Sequence, residues 1–182
     1  AEKSINYNTD KLLKLVNDGY IPVTTCPSCH FMMTEGATSV IYNESIVQLG
    51  EKFREATDFL YEILSLNEHK FSFMPINKKL AYKNACHAKD TGSGTKKLLN
   101  MIPDLEVVAW YDQCCGMGGT FGMKSKHYEK ASDIAVPMSK HLNSGGAEIQ
   151  STSCGACAVQ VENHTGQVAV HPLVIFKESL GL

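Results

Sequence analysis

The chain has 182 residues, 43% of them apolar and 20% charged, with a formal net charge of −2. That length buries a real core as one domain or two small lobes, and the near-neutral balance supplies neither a basic stripe for nucleic acid nor an acidic tail. No apolar run approaches the roughly 18–20 residues of a membrane span, and the opening AEKSINYNTDKLLKLVNDGY lacks a signal peptide's apolar centre, so a cytoplasmic protein is expected.

In chain order, the pattern predicts a helix over 8–18 and a strand over 20–25 (YIPVTT) that leads into Cys26 and Cys29. A single long helix is expected over 44–67, with Ile46, Leu49, Phe53, Phe59, Leu60, Ile63 and Leu64 as its packing face and no chemistry. A strand over 79–85 leads to Cys86, a helix follows over 94–102, and a strand over 106–111 leads to Cys114 and Cys115. A helix over 124–143, a strand over 147–153, a helix over 155–164, a strand over 167–171 and helical turns from Pro172 complete the chain. Short apolar strands alternating with amphipathic helices argue for an α/β fold with a mostly parallel sheet flanked by helices. Each cysteine group then falls at or just beyond the C-terminal end of a strand, where open α/β sheets place their ligands.

Seven cysteines is an odd number in a chain without an export signal, which favours metal or redox roles over a disulfide framework. Residues 19–35 laid on 147–163 align Cys26 with Cys154, Cys29 with Cys157, Ile21 with Ile149 and Thr24 with Thr152. This internal repeat predicts two pseudo-repeated lobes, the first incomplete: 1–70 as the closing part of one unit and 71–182 as a complete one. The chain then reads as a fragment of a longer polypeptide or as a lineage whose first unit decayed.

The complete unit runs Cys86, 27 residues, Cys114-Cys115, 38 residues, Cys154-Gly-Ala-Cys157. Vicinal cysteines point in different directions, so both sulfurs seldom fit one tetrahedral zinc, and five thiolates exceed its four positions. A polynuclear iron-sulfur cluster removes both difficulties, because adjacent cysteines can ligate different irons. Zinc in a structural module stays open as the alternative. The glycines of GMGG, beginning at Gly116, let backbone N–H groups approach sulfur closely, and Gly155 permits the same. A helix directly after them is expected to aim its N-terminus at an anionic cluster. His87 is a candidate to donate a hydrogen bond to a cluster sulfur or to carry a proton, and His30 a weaker one. Asp112 is expected to cap the turn, His164 and His171 to satisfy local backbone, and Met32, Met33, Met117 and Met123 to fill core.

Cys86, CCGMGGTFG and CGAC at these spacings resemble the cysteine-rich CCG domain, which occurs, usually in tandem, in iron-sulfur subunits of oxidoreductases. The resemblance implies that Cys86, Cys114, Cys115, Cys154 and Cys157 are cluster ligands, with Gly116 and His87 beside them. Cys26 and Cys29 match only the closing CxxC of a first unit. It further implies a [4Fe-4S] cluster, noncubane in some relatives, and electron transfer between a flavoprotein dehydrogenase partner and a quinone or disulfide acceptor. A protein of that kind sits in the cytoplasm, at the inner face of the membrane through its complex. Disulfide and thiol redox chemistry at the cluster, as in heterodisulfide reductase, is the competing enzymatic implication. Ala85 stands where the family usually has proline.

Overall fold

The computed structural model describes residues 1–67, 71–88 and 93–182. Its elements run α1 (Glu2–Asn17), β1 (Val23–Thr24), α2 (Pro27–Phe31), α3 (Ala37–Val40), α4 (Glu44–Lys52), β2 (Arg54–Glu55) and α5 (Ala56–Ser65). There follow β3 (Lys78–Lys83), α6 (Ser93–Asn100), β4 (Leu105–Tyr111), α7 (Tyr128–Asn143), β5 (Ile149–Ser151), α8 (Gly155–Thr165), β6 (Ala169–Val170) and α9 (Pro172–Ser179). A π-helical turn, Met32–Gly36, joins α2 to α3. The fold is α/β, and every strand pairing is parallel.

The larger sheet has strand order β4-β3-β5-β6, and β1 and β2 form a separate pair. Successive side chains of a strand point to opposite faces, so β3 feeds two cores. Leu80 and Tyr82 join Leu98 and Leu99 of α6, Ile175 and Phe176 of α9 and Leu64 of α5. Ala81 faces the other way, with Ala109, Tyr111, Ala135, Met138, Leu142 and Val161, and this second core also holds Cys115, Cys154 and Cys157. Burial on both faces is the ordinary state of a parallel sheet, and full burial of a side chain such as Leu80 stabilises the fold by about 1.5–3 kcal/mol. Ile5, Ala37 and Ile46 form a third core, beneath α1, α3 and α4.

The helix expected over 44–67 is two helices. Phe53, Arg54 and Glu55 are extended, Arg54 N–H donates to the Pro22 carbonyl at 2.9 Å, and Arg54 and Glu55 pair with Val23 and Thr24. Glu55 then caps α5, its carboxylate accepting from the N–H groups of Thr57 and Asp58. The apolar period carried across the break, so the pattern alone concealed a strand. Helix α7 likewise begins later than expected, at Tyr128, after a 3-10 turn over Ser125–His127. Met123 and Met32 are exposed rather than core, whereas Met117 is buried.

Candidate functional site

Strand β3 lies between β4 and β5, so the chain steps to one side of β3 and then to the other, a reversal that opens a crevice beyond the carboxyl ends of the strands. Cys86 follows β3, Cys114 and Cys115 follow β4, and Cys154 follows β5. With Cys157, all five line one cleft of ≈ 400 Å³, to which Gly118 and Gly119 also contribute. Residues up to 71 positions apart in sequence thus meet beyond the carboxyl ends of the strands.

Cys115, Cys154 and Cys157 are buried, and Cys86 and Cys114 are exposed. The vicinal pair therefore splits, one thiol inward and one at the rim. Cys157 Sγ donates to Cys115 Sγ at 3.2 Å. That bond is the main cause holding Cys115 down to about 6, and a bond from Cys157 likewise holds Cys154 down to about 5. Interaction of its single S–H with Cys115 and Cys154, and then burial, push Cys157 well above the usual thiol range. Cys154 is also the N-cap of α8, and the N–H groups of Ala156 and Cys157 stabilise its thiolate. The helix whose first turn meets the thiols is thus α8, whereas the sequence pointed to the helix after the glycines.

The backbone supports the rim. Gly116 N–H donates to Cys114 Sγ at 3.3 Å. Gly116 has φ +87°, and a Cβ there would lie 2.2 Å from the Ala131 carbonyl oxygen of α7, so only glycine fits. Asp112 does not cap the turn. Its carboxylate accepts from Asn84 Nδ2 at 2.9 Å and Trp110 Nε1 at 2.8 Å, tying β3 to β4 just before their cysteines. His164 reaches a neighbouring helix, its Nε2 lying 3.3 Å from Ser132 Oγ of α7, instead of local backbone. His171 caps α9 through its Nδ1, which accepts from Leu173 N–H, and its Nε2 lies 3.0 Å from the Thr25 carbonyl oxygen.

Cys26 and Cys29 do not line the five-thiol cleft; of the two residues between them, Ser28 does. Ser28 Oγ lies 3.9 Å from Cys154 Sγ and 3.1 Å from His87 Nδ1. The His87 ring stacks on Phe31 at 4.6 Å between centroids. Burial, and next the neighbouring Cys26 thiol, push Cys29 up, and the Cys154 charge adds to this. His30 packs edge-on to Phe53 at 6.3 Å. Sequence reasoning missed Ser28, whose only signal was its place inside a CxxC. It also missed Lys83, an ammonium with no exposed surface in the strand that leads to Cys86.

The donor set fits a polynuclear group. Among the described residues no three His, Cys, Asp or Glu side chains converge to hold a single metal ion. Five thiols instead ring a cleft, three of them buried and two at its mouth. Mononuclear zinc, the alternative left open by the sequence, is not supported.

Residues 80–162 match the family model described as the cysteine-rich domain, CCG. The matched segment contains all five thiols of the cleft. Over 99% of its length the chain is 29% identical to the C subunit of anaerobic glycerol-3-phosphate dehydrogenase from Escherichia coli (strain K12), covering 46% of that protein. It is also 33% identical over 87 residues to lactate utilization protein A 2 of Bacillus cereus (strain AH820), covering 44% of this chain and 34% of that one. With the B subunit of fumarate reductase (CoM/CoB) from Methanothermobacter marburgensis it shares 32% identity over 95 residues, 49% of this chain and 19% of that one. The chain spans less than half the length of these relatives. Among the described residues no helix is long and apolar enough to cross a membrane.

Proposed function

We propose that the protein is an iron-sulfur electron-transfer subunit, or part of one, that passes electrons between a flavoprotein dehydrogenase partner and a quinone or other acceptor. One observation carries the reading: five thiols from three strand ends line a single cleft, in a number and spread suited to several irons. Cys86, Cys114, Cys115, Cys154 and Cys157 would hold a [4Fe-4S] cluster, and the cluster would accept and release one electron at a time. The chain's own part is to assemble these thiols, to keep Cys115 and Cys154 as thiolates, and to exclude water from the inner three. Gly116 N–H and Ser28 Oγ contact sulfur directly, a geometry that orients ligands and tunes potential. The relatives named as dehydrogenase and reductase subunits favour a place in a multi-subunit oxidoreductase, cytoplasmic and reaching the membrane surface through its partners.

The division into 1–70 and 71–182 belongs to the same proposal. Strand β1 and α2 lead, through α3 and α4, to β2 and α5, much as β5 and α8 lead directly to β6 and α9, and each pair of strands is parallel. Cys26 and Cys154 share one N-cap geometry, φ −112°, ψ 117° against φ −110°, ψ 117°. Thr24 and Thr152 each accept from the N–H of the cysteine two residues on, at 3.2 and 3.4 Å. Cys26 and Cys29 would then serve a second metal site.

Metal and acid-labile sulfide analysis of protein purified without air tests the assignment. About four irons and four sulfides per chain, lost together in variants with Cys115→Ser or Cys157→Ser, are expected. One zinc per chain and no sulfide would overturn it. The exposed position of Cys86 and Cys114 gives thiol and disulfide chemistry a foothold as a second reading, and turnover of a disulfide substrate separates it from simple electron transfer.

A further inference from the structure

Lys83 closes β3 with none of its surface exposed. Strand alternation divides its surroundings. Tyr82 and Trp110 stack at 4.4 Å on the face of the sheet that bears α6 and α9. Asn84 and Asp112 share their parity along the strands, and Asp112 is engaged there by Asn84 and Trp110. Lys83 and its register partner Tyr111 point to the opposite face, into the core that holds Cys115, Cys154 and Cys157. The Lys83 ammonium donates to the Asn84 carbonyl, a neutral acceptor, and stands 5.7 Å from the centre of the Tyr111 ring. Its charge is felt at Cys115, and the Cys114 charge is felt at Tyr111.

A buried cation is strongly unfavourable unless an anion offsets it. Alanines, Met117, Met138, Leu142, Val161, Tyr111 and three thiols form the layer Lys83 enters, so the anion that matches it is on the sulfur side. We propose that Lys83 is the buried counter-charge of the thiol cleft, a positioning residue whose ammonium sets the reduction potential of the group held there. This rests on the iron-sulfur reading above. A cluster gains negative charge on reduction, so a fixed positive charge in a low-dielectric layer favours the reduced form and raises the potential. The Tyr111 face and the Asn84 carbonyl hold the ammonium in place, and neither cancels its charge.

The test is a redox titration, followed by electron paramagnetic resonance, of anaerobically prepared wild type, Lys83→Met and Lys83→Arg. Iron and sulfide are assayed on each sample. Methionine keeps the volume and removes the charge, so the Lys83→Met potential is expected to fall by at least ~59 mV, a tenfold change in the one-electron equilibrium, with iron and sulfide retained. Lys83→Arg is expected to recover at least half of that shift. An unchanged potential in loaded Lys83→Met overturns the role of Lys83 while leaving the cluster assignment intact. A wild type without iron and sulfide overturns both. Should Lys83→Met fail to fold, Lys83→Gln is read by the same criterion.

Discussion

Gly116 carries two demands at once: its N–H faces Cys114 Sγ, and its backbone passes beneath the Ala131 carbonyl with φ +87°. Any side chain there meets both left-handed strain and a 2.2 Å overlap with α7. Gly116→Ala is therefore expected to destabilise the metal-free protein by on the order of 2–4 kcal/mol in urea unfolding. Gly155 is the control, because a Cβ there meets nothing within 4 Å. Gly155→Ala is expected to change stability by less than about 0.5 kcal/mol. Equal effects of the two substitutions would contradict this account of the loop. Sequence alone marked both glycines for close approach to sulfur; it could not tell that only one is pressed against a helix.

At the scale of elements, the N-terminus of α5 is fastened to the N-terminus of α6. Glu55 caps α5, Thr57 Oγ1 lies 2.8 Å from Thr95 Oγ1 of α6, and Asp58 Oδ1 accepts from Gly94 N–H at 2.7 Å. Burial first, and the Glu55 charge second, raise Asp58 to about 6. In the unfolded chain an aspartate titrates near ~3.9, so between about pH 4 and pH 6 the folded protein holds the extra proton. Stability contributed here is full below ~4 and is lost as pH rises through about 6. Asp58→Asn keeps the acceptor for Gly94 and removes the charge. It is expected to be more stable than wild type by ~1 kcal/mol at pH 7.5, after discounting for the partial exposure of the carboxyl. That advantage disappears at pH 4. Denaturant unfolding at the two pH values decides it, and a pH-independent difference would remove Asp58 as the cause.

Across the whole molecule, the segment around α2 meets the cleft through the Phe31–His87 stack and through Ser28 against Cys154 and His87, and Thr25 meets the N-terminus of α9 through His171. An aromatic pair of this kind contributes about 0.5–1.5 kcal/mol beyond its buried area. Phe31→Ala is accordingly expected to speed amide hydrogen exchange over residues 23–40 about three- to tenfold, with the four-stranded sheet unchanged. Exchange that rises equally in β3 and β4 would show instead that residues 23–40 and the sheet open as one unit. Helix α5 also packs on the large sheet, its Leu64 buried in the core beneath it.

The CxxC and CCG spacings, the strand runs and the glycines are local signals, and they were enough for the α/β class, the parallel sheet and the placement of each cysteine group after a strand. Chain order determined these because strand pairing and ligand-bearing loops follow from short-range pattern and connection rules. The break at Arg54 escaped the pattern, because a two-residue strand is made by its partner, Val23–Thr24, and by the Pro22 carbonyl, not by its own residues. Asp112 turned to Asn84 and Trp110, Ser28 reached Cys154 from 126 positions away, and Lys83 was carried into the thiol layer by strand parity. Each of these is a contact between residues remote in the chain, and such contacts exist only once tertiary packing has decided which faces meet.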